Sequence, residues 1–80
     1  MQEVISVPIL RFKFSDIFQK NSDGSLTPKV VISVNGITFG PGILIREGIA
    51  VGGVDLFKYQ KNDVAIEKNE GINKIIGFYN

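Results

Sequence analysis

The side chains that could do chemistry in this chain are few. There is no histidine and no cysteine. This removes the commonest general base and transition-metal ligand, every thiolate nucleophile, cysteine-held zinc or iron–sulfur centres, and disulfides. Carboxylates are left: Asp55 and Asp63 bracket one apolar segment and Glu67 follows. A magnesium site or acid/base pair would need such oxygens to converge. Their spacing gives no sign of it, since Asp63 falls in a turn and Glu67 alternates with Val64 and Ile66. Asn21-Ser22-Asp23-Gly24-Ser25 imitates part of a calcium loop. Its first ligand position would be Gln19 and its closing carboxylate position Val30, so it reads as a surface turn. Phe39-Gly40-Pro41-Gly42 and Val51-Gly52-Gly53-Val54 are glycine-rich, but neither is followed by the helical pattern that a phosphate cradle requires. Both read as β-turns, and Asp55 is placed to bond backbone amides at the second.

Two segments interleave cations with aromatics: Arg11-Phe12-Lys13-Phe14 and Phe57-Lys58-Tyr59-Gln60-Lys61. Small β-barrels use that arrangement to stack single-stranded bases and neutralise their phosphates. In the first segment a two-residue period turns Phe12 and Phe14 to one face and Arg11 and Lys13 to the other, the pattern of a core-facing strand. In the second, read as a strand, Phe57 and Tyr59 stand opposite Val54, Leu56 and Lys58. Inward Val54 and Leu56 would leave the two rings exposed as a contact surface. The candidate partner-binding residues are therefore Phe57, Tyr59, Lys58 and Lys61, with Arg11 and Lys13.

These residues must be carried by sheet. Twenty of the 80 residues are Val or Ile and two are Ala, a balance that favours strands over helices. Nine glycines divide the chain into short segments. Val30 to Phe39 is the clearest element, with Asn35-Gly36 at the centre of a type I′ hairpin. Gly40-Pro41-Gly42 ends it. Ile43 to Arg46 and Ile49 to Val51 read as a further hairpin around Glu47-Gly48, followed by strands over Val54 to Gln60, Val64 to Lys68 and, after a turn at Asn69-Glu70-Gly71, Ile72 to Tyr79. From residue 29 onward this makes a meander of short strands. Upstream, Val4 to Phe14 is a first strand, bent near Pro8. Ser15 to Lys20 reads equally as one helical turn capped by Ser15 or as more strand. Asn21 to Pro28 is expected to be the longest loop and the best placed to be mobile or functional. The expected fold is one all-β domain over 1–80, a small antiparallel barrel or two-layer sandwich of six to seven short strands.

Nine basic and eight acidic residues, spread over both parts of the chain, do not form the polycation that grips duplex nucleic acid. No apolar run approaches the roughly 20 residues of a membrane span. Val4 to Leu10 lacks the basic leader and cleavage site of a signal peptide. A cytoplasmic protein without cofactor, metal or membrane partner is expected. Val4 with Ile5, Val30 with Val31, Ile43 with Leu44 and Ile45, and Ile75 with Ile76 are adjacent apolar pairs or runs, where a sheet with one wet face should alternate. In so short a chain the surplus calls for a partner, most simply a second copy. The reading is a noncatalytic assembly or protein-interaction module that forms homo-oligomers or binds another protein. The alternative is a single-stranded nucleic-acid binder.

Overall fold

The structure is a computed structural model, and it describes residues 8–79. It is all-β, with strands β1 (Ile9–Phe12), β2 (Phe18–Lys20), β3 (Leu26–Pro28), β4 (Ile32–Val34), β5 (Ile37–Phe39), β6 (Val64–Asn69) and β7 (Ile72–Phe78). One helical turn, α1, covers Phe14–Ile17, and a 3-10 turn covers Leu56–Tyr59. Five strands form a mixed sheet in the order β1-β6-β7-β4-β5, and β2 and β3 form a separate ribbon. Phe18 and Leu26 of the ribbon share one core with Ile32, Val34, Val64, Ile66 and Ile75 of the sheet. The arrangement is thus two open sheets around a common core and not a closed barrel.

Two hairpins form where turn chemistry demands them. Asn35 (φ 49°) and Gly36 (φ 86°) supply the two positive φ angles of the β4–β5 loop. Glu70 (φ 50°) and Gly71 (φ 83°) do the same between β6 and β7. Both expected turns are present, and β6 and β7 lie within a residue of their expected bounds.

The meander is not formed. β4 runs parallel to β7, with Ser33 opposite Lys74, so the end of the chain inserts between β4 and β6. Ile43 to Val51 does not build a ladder either. Arg46 C=O accepts from Ile49 N–H at 3.1 Å, closing the expected turn, but Ile45 pairs with Leu26 of the ribbon through two hydrogen bonds of 2.8 and 2.9 Å. The longest connection is therefore Gly40 to Asp55, and not Asn21 to Pro28. Within that earlier segment Leu26–Pro28 is strand, and the Asn21 amide group donates to Ser25 Oγ (3.0 Å) and Thr27 Oγ1 (2.8 Å), tying the turn down.

Ser15 to Lys20 contains both elements considered for it. A helical turn begins at Phe14 and gives way to β2 at Phe18. Lys13, not Ser15, holds the cap position, and its backbone N–H donates to Asp16 Oδ2 at 3.0 Å.

Strands β4, β6 and β7 of the five-stranded sheet alternate after all, whereas edge strands β1 and β5 do not. Val64, Ile66 and Ile75 are buried, while Lys74 and Ile76 between and beyond them face outward. Val30 and Val31 precede β4, and Ile43 and Leu44 lie in the long connection, so they do not line a second dry sheet face. Val4 and Ile5 lie outside the described residues.

Candidate interaction surface

The segment expected to present aromatics as a strand is helical. Gly52 (φ 57°) and Gly53 (φ 81°) make a tight turn closed by reciprocal Val51–Val54 hydrogen bonds of 2.8 and 2.9 Å. Asp55 then caps the 3-10 turn, its Oδ1 accepting from Phe57 N–H at 3.1 Å. That cap is why Val54 to Gln60 leaves the extended conformation: an Asx-type bond to the second amide onward competes with a ladder. Asp55 thus performs the backbone role expected of it. A helical turn does follow these glycines, contrary to expectation, but its N-terminal amide is occupied by the carboxylate of the chain itself.

Helical geometry separates the rings that a strand would have aligned. Tyr59 stacks on Phe78, with centroids 4.1 Å apart and planes within 5°. Phe57 turns the other way, into a depression of about 390 Å³ lined by Lys20, Phe57, Lys58, Gln60, Lys61 and Asn62. Both rings are half-buried and pack against the core. Lys58 and Lys61 are exposed and share that depression with Lys20, which sequence reasoning missed because it arrives from β2.

Arg11 and Lys13 stand apart from this group. Arg11 Nε donates to Asp63 Oδ2 at 2.7 Å, and its guanidinium lies 4.2 Å from the centre of the Tyr79 ring. Lys13 is exposed at the start of α1. The six expected contact residues therefore do not form one surface.

The carboxylates do not converge. Asp55 caps a turn, Asp63 binds Arg11, and Glu67 lies opposite Ile9 and Lys74 on β6. Among the described residues no group of three or more carboxylates could hold a metal ion. Asp23 serves its own turn: its Oδ1 accepts from Ser25 Oγ (2.6 Å) and Ser25 N–H (2.9 Å). The Ser25 hydroxyl, then the Ser25 amide, hold the Asp23 carboxyl below its ordinary pKa against a small opposing cost of burial, with added help from Arg46 3.6 Å away.

The surplus apolar residues collect elsewhere, at the β5 end of the sheet. Ile45 is buried and pinned to β3, which lifts Ile43 and Leu44 on one side and Ile49 and Ala50 on the other into an apolar groove. Ile37 and Phe39 of β5 complete it, around a volume of about 300 Å³. Ile37 is 52% exposed, Leu44 54% and Ile49 52%. No charged side chain lines the groove, although charged residues make up 21% of the chain. The hairpin tip is fixed beside it, because Asn35 Nδ2 donates to Gly52 C=O at 2.7 Å. The run Ile43-Leu44-Ile45 was the sequence signal for this surface. What sequence could not show is that Ile37 and Ile49 join it.

Among the described residues no helix is long and apolar enough to cross a membrane. No protein-family model, no curated protein and no solved structure matches this chain.

Proposed function

We propose that this chain is a noncatalytic assembly module that associates with copies of itself through the apolar groove at the β5 end of its sheet. The observation that carries this reading is the contiguous, uncharged surface of Ile37, Phe39, Ile43, Leu44, Ile49 and Ala50. Interface cores are depleted of charge in this way, while isolated exposed apolar residues are ordinary on any protein surface. A domain this small also has little interior in which to hide apolar area, and association is the usual remedy when disulfides and metals are absent. The lack of cysteine suits a reducing compartment, and a cytoplasmic location is part of the same proposal. Leu44→Glu puts a charge on the most exposed large apolar side chain of the groove lining. It is expected to weaken association by at least about tenfold, roughly the 1.4 kcal/mol of one good interface contact. Unchanged association of this variant in sedimentation equilibrium would refute the reading.

A second reading is favoured by the Phe57 depression, where Lys20, Lys58 and Lys61 meet an aromatic ring with no carboxylate on the lining. Three cations beside a half-buried ring suit the phosphates and one base of a single strand. A salt titration with a labelled oligonucleotide decides it: micromolar binding with a steep salt slope supports this reading, and no binding at low salt eliminates it.

A further inference from the structure

We infer that two copies join by pairing β5 with β5 in antiparallel fashion about a two-fold axis through Thr38, extending the five-stranded sheet across both chains. The inference rests on the self-association proposed above and specifies its geometry. The two-residue Asn35-Gly36 loop makes Val34–Ile37 and Ile32–Phe39 hydrogen-bonded pairs, so their backbone groups face each other. The Asn73 N–H to Val31 C=O bond of 2.9 Å confirms the alternation, since it shows that the odd-numbered residues of this segment turn toward β7. Thr38 is the β5 residue whose N–H and C=O then point to the open edge; the residue is exposed, and no backbone hydrogen bond from it to another segment is present among the described residues.

Edge strands are normally protected by charge, proline or a bulge. The opposite edge, β1, carries Arg11 and follows Pro8, whereas β5 contains neither a charge nor a proline. A second copy is the occupant that this edge suits, because the β5 surface is uncharged and meets no like charge in its own image. Two-fold pairing at Thr38 sets Thr38 against the partner's Thr38 as a hydrogen-bonded pair. It also sets Ile37 against the partner's Phe39 in the closer, non-hydrogen-bonded position. Aromatic with β-branched is a favourable cross-strand pair. Pairing covers Ile37 and brings the two grooves together. Three residues supply little more than register, and the groove side chains supply the driving force.

The absence of cysteine makes cross-linking a clean test. In a Thr38→Cys variant the two sulfurs sit on residues whose Cα atoms are about 5.5 Å apart, within disulfide range. Mild oxidation is expected to convert most of the chain to covalent dimer, at least about tenfold faster than in a control with Lys68→Cys at an exposed position of β6. Equal rates in the two variants would overturn the pairing. Thr38→Pro removes the outward donor without removing a bond to β4, and is expected to be monomeric with an unchanged far-ultraviolet circular dichroism spectrum. A Thr38→Pro dimer as tight as wild type would also overturn it. Dimeric wild type with no Thr38→Cys cross-link rejects the strand pairing and leaves the groove standing, whereas a monomeric wild type rejects both.

Discussion

The ring of Tyr59 lies flat on that of Phe78, 4.1 Å between centroids, and so fastens the 3-10 turn to the last strand of the sheet. The same stack removes Tyr59 from the contact surface that an extended segment would have presented. Tyr59→Ala is expected to cost about 2–3 kcal/mol, less than for a fully buried ring. Among the described residues no side-chain hydrogen bond involves the Tyr59 hydroxyl, so Tyr59→Phe should lie within about 0.5 kcal/mol of wild type. Urea denaturation of both variants checks the pair. A large loss in Tyr59→Phe would place the stabilisation in the hydroxyl and contradict the stack.

Gly52 is the least replaceable glycine. A Cβ there would lie 2.5 Å from Val34 C=O, at a φ of 57° that already disfavours side chains. Gly52→Ala is expected to destabilise by about 1–3 kcal/mol or more. Gly53→Ala meets no neighbour within 4 Å and pays only for its φ of 81°. Thermal melts should therefore rank Gly52→Ala below Gly53→Ala, and the reverse order would show that the Gly52-Gly53 turn does not press against β4.

Legibility followed locality. Asn35-Gly36 and Glu70-Gly71 each determine a turn from two adjacent residues, and both hairpins could be read directly. Val54 to Gln60 could not, because its apolar alternation suits a strand and only the Asp55 side chain, bonded to Phe57 N–H, tips it into a 3-10 turn. The parallel pairing of β4 with β7 joins residues about forty apart, and no local pattern specifies it. The apolar surplus was legible in Ile43-Leu44-Ile45, but its location was not: the burial of Ile45 against Leu26 determines which neighbours are turned out. Arg11 and Lys13 share a strand pattern with Phe12, yet Arg11 is held by Asp63, 52 residues away.

Acid should loosen the Asn21–Ser25 turn. The folded Asp23 carboxyl is held below its ordinary pKa, first by the Ser25 hydroxyl. Its contribution is therefore complete above the unfolded pKa and is lost as the pH falls through the lower folded value. The contribution concerns the region below about pH 4 and leaves neutral pH untouched. Carboxyl-detected NMR should find the Asp23 midpoint below that of an ordinary aspartate, and Ser25→Ala should raise it. An unchanged midpoint in Ser25→Ala would remove the hydroxyl as the cause.

Asn73 is a buried polar residue on β7 whose side-chain Nδ2 and backbone N–H both donate to Val31 C=O at 2.9 Å. Asn73→Ala should cost about 1–2 kcal/mol, because the backbone bond continues to satisfy the carbonyl. Asn73→Asp replaces the donor with an acceptor facing an oxygen and should cost more at neutral pH. Paired denaturation curves at pH 7 check the ranking, and equal losses would argue against the side-chain bond.

The most direct measurement is sedimentation equilibrium of the unmodified chain from about 5 to 200 micromolar beside Leu44→Glu. The wild-type chain should approach about 17.6 kDa, twice its 8.8 kDa, while Leu44→Glu stays near the single-chain mass. A wild-type chain that stays at 8.8 kDa across that range contradicts self-association through the β5 groove.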